Sequence, residues 1–341
     1  MKIFNHTPWI ALALFLLAPF MGSAQETLFP VEENGKWGYI NKQGNLVIQP
    51  RFDFAEKFSE GMAAISQGGK KGFINTAGKL VIPAEYDKVS EYFSEGLVAV
   101  KKSGKYGYLD KSGKTAIEFK FDFAYRFTEG LARVYMNGKY GFIDKSGNLV
   151  IKAEFDGAYY FSEGMARVQK GKKWGYIDKS GKQVIDFIYD ECFDFSSGLA
   201  NVRKGDESSG KWGFVDKTGK VVIDFKFNRA WTFSEGLALV REGDFKTGKF
   251  GYIDKTGKLV IDYQFVGADH FSDGMACVSS SLDFKNPKWN YIDKNGKKVI
   301  TKDFDYLSGF TDGLARVKSD GLKSGYSFGY INKSGNYVWP K

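Results

Sequence analysis

One phrase is written again and again along this chain. "GKWGYINKQGNLVI" runs from Gly35 to Ile48, "KKWGYIDKSGKQVI" from Lys172 to Ile185 and "GKWGFVDKTGKVVI" from Gly210 to Ile223. The aromatic–glycine pair at its centre occurs as Trp37-Gly38, Tyr106-Gly107, Tyr140-Gly141, Trp174-Gly175, Trp212-Gly213, Phe250-Gly251 and Phe328-Gly329. Lys71-Gly72 and Trp289-Asn290 are degenerate copies, and the nine follow one another at spacings of 34, 35, 34, 34, 38, 38, 39 and 39 residues. A second phrase alternates with the first, from Phe58-Ser59-Glu60-Gly61 through Phe127-Thr128-Glu129-Gly130 to Phe310-Thr311-Asp312-Gly313. A period of this length specifies a repeat architecture in which each unit hides its apolar face against its neighbours.

Each unit reads as short strands joined by tight turns. Between Gly130 and Phe161, "GLARVYM" is a strand, Asn137-Gly138 is a two-residue hairpin signal, and "KYGFID" is the next strand. Lys145-Ser146-Gly147 turns the chain into "NLVI", and "AEFDGAYYF" leads on to the next unit. The glycine of the aromatic pair points to the opposite side from its ring and leaves space for a close backbone or ring. No stretch beyond the first residues has helical periodicity, so the fold is expected to be all-β.

The first 24 residues read differently. Lys2, the apolar run Trp9–Phe20 and the small residues Gly22-Ser23-Ala24 have the layout of a secretory signal peptide, and the run is too short for a membrane span. Residues 25–341 are then the repeat array of an exported protein, in the periplasm, on the cell surface or in the medium. This part has 48 basic and 40 acidic residues in no concentrated block, which argues against nucleic acid as a partner. Cys192 and Cys277 fall at different positions of the unit and more than two units apart, so no disulfide is expected.

The recurring "GKWGYIDKSGKxVI…FDxAxxFSEGLAxV" resembles the WG, or KWG, repeats found mainly in bacterial proteins, and it covers Leu28 to Trp339. The resemblance implies a β-rich repeat protein of the cell envelope or exterior with no general catalytic activity. A weaker likeness links the "GKWGYIDK" hairpin to choline-binding and glucan-binding wall repeats. The first unit lacks the "FDxAxxF" segment, no strand is left over to latch a ring, and nine blades exceed the usual four to eight. An open, solenoid-like stack of about nine hairpin units is therefore expected in preference to a propeller-like ring.

The repeated acids are read as turn residues. Asp110, Asp144, Asp178, Asp216, Asp254 and Asp293 each precede a lysine, and Glu60, Glu95, Glu129, Glu163 and Glu235 lie in the other turn. His270, the one histidine after the first 24 residues, has no Cys or His spaced for a metal and no nucleophile partner. No cofactor, metal or catalytic residue is expected. The four longer spacings come from inserts in one hairpin, "RKGDESSG", "REGDFKTG", "SSSLDFKNP" and "KSDGLKSGYS", from about residue 203 onward. Inserts on one face of an array are candidate binding loops, which singles out Arg203, Asp206, Arg241, Phe245, Phe284, Lys285 and Tyr326. The expected function is that of a non-catalytic binding or scaffold module for an envelope protein or extracellular ligand. The alternatives are attachment to a cell-wall polysaccharide and, further off, a glycosidase built from two dispersed carboxylates.

Overall fold

The computed structural model describes residues 26–340 apart from 91, 245, 282–286, 319–325 and 327. The expected signal peptide, residues 1–24, lies outside the described residues.

Each repeat is one small antiparallel sheet whose strands are paired in chain order, and nine such sheets are present. In blade 4 the strands are Phe123–Thr128, Leu131–Met136, Lys139–Ile143 and Leu149–Phe155. The aromatic–glycine pair is in the third strand. A Cβ on Gly175 would lie 2.6 Å from the Ile185 carbonyl oxygen, so the glycine is needed where the bulged fourth strand crosses it. In the turn between first and second strands both central residues have positive φ, as at Glu163 (54°) and Gly164 (85°), which is the two-residue hairpin geometry.

The blades are bound face to face. Nine hydrophobic clusters each take residues from two neighbouring blades; Leu131, Phe142, Ile151 and Phe155 of blade 4 join Ala158, Phe161, Ala166, Val168 and Ile177 of blade 5. Buried rings at these interfaces contribute about 2–3 kcal/mol each. First strands lie against the preceding blade's second strand, and in blades 4 and 5 also against its first, as Gly157–Ser162 does beside Leu131–Met136 and Phe123–Thr128. The small residues there, Ala124, Ala158, Cys192 and Ala230, let the blades converge. Further out, in blades 2 to 9 the third-to-fourth-strand turn is seated on the preceding blade's isoleucine, so that a Cβ on Gly147 would lie 2.7 Å from Ile117. Narrow packing at the first strand and bulky packing at the fourth make each blade a wedge.

This wedge overturns the expected open stack: the array is a closed nine-bladed β-propeller. Phe29, Val31 and Ile40 of blade 1 share a core with Leu314, Phe328, Tyr330 and Trp339 of blade 9. The Tyr330 hydroxyl donates to the Pro30 carbonyl at 3.0 Å, and the Tyr326 hydroxyl to the Glu33 carboxylate at 2.9 Å. The inference from a missing latch strand fails because side-chain packing of the kind used between all other blades also closes the ring. Among the described residues blade 1 has three strands. It consists of β1 (Phe29–Glu33), β2 (Lys36–Ile40) and β3 (Leu46–Phe52).

Candidate functional site

The turn aspartates are occupied by their own loops. Asp178 Oδ1 accepts from the amides of Ser180 (2.9 Å) and Lys182 (3.0 Å) and from the Ser180 hydroxyl (2.5 Å). The serine hydroxyl, then these amides, hold its carboxyl below the usual range despite partial desolvation. Asp110, Asp216 and Asp254 repeat the arrangement with Ser112, Thr218 and Thr256.

The glutamates of the other turn do more than the sequence suggested. Glu129 accepts from the Gly164 amide of the next blade at 3.0 Å and pairs with Lys179 at 3.2 Å. Glu60, Glu95, Glu163 and Glu235 make the same two contacts, with Lys111, Lys145, Lys217 and Lys294. Burial of Glu60 works against ionisation, but Lys111 and the amides of Gly96 and Glu95 leave its carboxyl lowered. These side chains are clamps between blades. Asn, Asp or Gly would serve the turn itself better than Glu, and that mismatch was the available signal. The serine ahead of the glutamate adds a second clamp: Ser162 Oγ donates to the Phe195 carbonyl at 2.7 Å.

Once turn and interface residues are accounted for, the residues just ahead of the buried first-strand phenylalanine stand out. They are Lys57, Tyr92, Arg126, Tyr160, Asp194, Thr232, His270 and Gly309, different in nearly every blade, whereas the phenylalanine they precede recurs in all eight. In blades 3 to 5 they meet: the Arg126 guanidinium lies 4.0 Å from the Tyr160 ring centre and 5.2 Å from that of Tyr92. Tyr125 meets Tyr160 edge-on at 6.5 Å, and Arg133 lies 3.7 Å over Tyr125. Tyr92, Tyr125, Arg126 and Tyr160, with Val89, Ser90, Tyr106 and Ala124, line a cavity of about 350 Å³. Tyrosine and arginine combine large contact area with directed polar groups, the composition of binding hot spots. Sequence reasoning passed over this row because tyrosines amid so many repeated rings look like core.

The candidate loop residues are dispersed. Arg203 is buried, donating to the Gly205 carbonyl at 2.6 Å and to Glu191 at 3.3 Å. Asp206 caps its own loop through the hydroxyls and amides of Ser208 and Ser209, which hold its carboxyl far below the usual range. Arg241 lies 5.9 Å from the Phe250 ring, and burial followed by the nearby Arg229 lowers its basicity. Tyr326 belongs to the ring closure, edge-on to Trp339 at 5.6 Å. Phe245, Phe284 and Lys285 lie outside the described residues. Antiparallel order puts the inserted hairpins at the end of each blade opposite the Ser-Glu-Gly and Asp-Lys-Ser-Gly turns.

Both cysteines are free and buried; burial pushes the Cys192 thiol up to about 12 and the Cys277 thiol higher still, so neither is a ready nucleophile. His270 is half-buried just beyond the first strand of blade 8, Gly267–Ala268. Among the described residues no cluster of His, Cys, Asp or Glu is arranged to hold a metal, and no helix is long and apolar enough to cross a membrane.

Comparison with solved structures finds the same course of chain in a eukaryotic initiation factor, at 14% identity and a TM-score of 0.65 over 92% of this chain and 95% of that one. Weaker likenesses include a prolyl endopeptidase (11% identity, TM-score 0.45, 87% of this chain and 55% of that one). Another is a quinonprotein alcohol dehydrogenase-like protein of Bacteroides thetaiotaomicron (11%, TM-score 0.41, 80% and 74%). These likenesses concern the fold. No curated protein sequence matches the chain significantly. The WG containing repeat matches eight times in tandem, over residues 37–70, 72–106, 106–140, 140–174, 174–207, 212–244, 250–280 and 289–322. With these matches spread over most of its length, the chain belongs to the WG-repeat family.

Proposed function

We propose that this chain is an exported, non-catalytic binding module that engages an envelope protein or extracellular ligand through its first-strand surface. The observation that carries the reading is the meeting of Tyr92, Arg126 and Tyr160, each just ahead of a phenylalanine that recurs in every one of these segments, along one cavity. The Tyr92–Arg126–Tyr160 assembly offers stacking and charge together. A ring of packed blades with clamped turns is compatible with a rigid scaffold. The repeated carboxylates are committed to turns and clamps, which supports a non-catalytic reading of those residues.

A second reading, attachment to a polysaccharide, is favoured by half-exposed rings. Phe123 (47% exposed), Tyr159 (37%) and Tyr306 (47%) lie in first strands and offer ring faces on which sugars stack.

The test is affinity capture from native envelope and, separately, retention on insoluble wall polymers at low salt. Immobilised full chain is compared with Arg126→Glu/Tyr160→Ala and with a chain whose long hairpins are cut to two residues. Capture lost only in the double variant supports the first-strand surface; capture lost only in the trimmed chain moves the site to the loops. Retention on wall polymer supports the second reading.

A further inference from the structure

Three guanidinium groups of blades 4 and 5, those of Arg126, Arg133 and Arg167, lie against tyrosine rings. Among the described residues only Arg167 has a carboxylate partner: it lies 3.4 Å over the Tyr159 ring centre, and its Nε donates to Asp194 at 2.8 Å. Arg133, one repeat earlier, is buried in the same way and lies 3.7 Å over Tyr125. Both also donate to a first-strand carbonyl of the next blade, Arg133 to Ala158 and Arg167 to Cys192. The residue one repeat before Asp194 is Tyr160, so Arg133 meets a ring, at 5.2 Å, where Arg167 meets an acid. The Arg133 Nε is left without an acceptor.

The cavity of about 350 Å³ beside these groups is lined by Arg126 and four tyrosines, Tyr92, Tyr106, Tyr125 and Tyr160, and by no acid among the described residues. Arg133 does not reach the cavity, but its guanidinium lies against two of the rings that line it, and its charge adds to that of Arg126. Charges in such a half-buried place are screened less than on an open surface. Asp87, Asp122 and Asp156, which precede the first strands of blades 3 to 5, are held by Lys70, Lys105 and Lys139. Glu91 lies outside the described residues.

What the cavity recognises follows from the part of Arg126 that is left open. The guanidinium covers the Tyr160 ring at 4.0 Å, so that ring is no platform for a flat ligand. The N–H donors at the edge of the guanidinium remain, and their fork matches the two oxygens of a carboxylate. Arg167 with Asp194 shows that pairing in the same aromatic setting one repeat on. The half-exposed rings suited to sugar faces, Phe123, Tyr159 and Tyr306, do not line this cavity.

We propose that the cavity seats a carboxylate of a protein partner, an acidic side chain or a chain end, on Arg126, with Arg133 reinforcing the positive field. This names the chemistry of the first-strand surface and rests on the reading of that surface as the place where the partner binds.

The test adds acetyl-Gly-Glu-Gly-amide, acetyl-Gly-Gln-Gly-amide, acetyl-Gly-Gly-Gly with a free carboxylate end, and galacturonate to the full chain. Ligand-observed NMR gives each affinity, and the side-chain Nε–H signal of Arg126 in protein with isotope-labelled arginine gives the place. Saturable binding of the glutamate peptide with movement of the Arg126 signal is expected. Binding at least about tenfold weaker is expected for the glutamine peptide, and for the glutamate peptide on Arg126→Gln. The glutamine comparison on the native chain needs no variant to fold. The tighter of the two carboxylate peptides tells side chain from chain end. Equal binding of the glutamate and glutamine peptides, a stationary Arg126 signal, or galacturonate binding more tightly than either carboxylate peptide would each overturn the proposal. So would binding that appears only in Glu91→Gln, since a carboxylate of this chain would then hold the seat. If the peptides are discriminated but envelope capture survives in the Arg126→Glu/Tyr160→Ala chain, the seat stands and the partner reading falls. Capture lost in that chain while both peptides bind equally gives the reverse.

Discussion

At the scale of single residues, the glutamate of the first turn has two jobs in tension. Its φ near +50° is costly for a side chain with a Cβ, and the cost is offset by bonds to the next blade's amide and lysine. Blade 6 lacks the clamp because Ser197 stands in its place at φ 58°. Ser197→Glu puts a carboxylate opposite the Gly236 amide and Lys255, and stability should rise by about 0.5–1 kcal/mol. Urea unfolding would check it; an unchanged or lower midpoint counts against the clamp. The same chemistry predicts acid sensitivity. Glu60 and the turn aspartates have folded pKa values below their unfolded ones, so their stabilisation is present above the ordinary carboxylate range and lost as pH falls through the lowered values. Melting temperature should be level from about pH 7 to 5 and fall below about pH 4. A Tm that stays level down to about pH 2 would remove these carboxylates from the account.

At the scale of the strand, the aromatic–glycine pair works as a crossing point. Gly175→Ala places a methyl 2.6 Å from the Ile185 carbonyl oxygen, and backbone cannot yield as a side-chain end can. A loss of about 2–4 kcal/mol is expected, read as a lower denaturant midpoint at unchanged m-value. Gly164→Ala, in an open turn with nothing near the added methyl, carries only the φ penalty of about 1 kcal/mol and serves as its comparison. Equal losses at both sites would sink the crossing argument.

At the scale of the whole molecule, closure is a sum of wedge angles. Nine blades close when each turns by about 40° from the last, and no single unit encodes that total. The seam holds through fewer contacts than other interfaces, with Trp37 beside Phe328 at 5.7 Å and Phe29 beside Tyr330 at 5.6 Å. Trp37→Ala with Phe328→Ala should open the ring while leaving strand content nearly intact. Small-angle scattering would show a larger radius of gyration at unchanged far-ultraviolet circular dichroism; a compact particle would show that the seam does not limit closure.

The sequence by itself determined the unit: its strands, its turns, its glycine crossings and its membership of a repeat family, because each depends on residues within about 35 positions and is restated in every copy. It also announced that the first unit was short of a segment. What only the tertiary structure decided was how units add up. Ring against stack depends on the angle between blades, which emerges from Ala124-type and Ile151-type residues packing on a neighbour. The clamp role of Glu129 was hidden because its amide and lysine partners lie in the next blade. The Tyr92–Arg126–Tyr160 assembly was hidden because its members are separated by a full repeat and meet only when first strands converge.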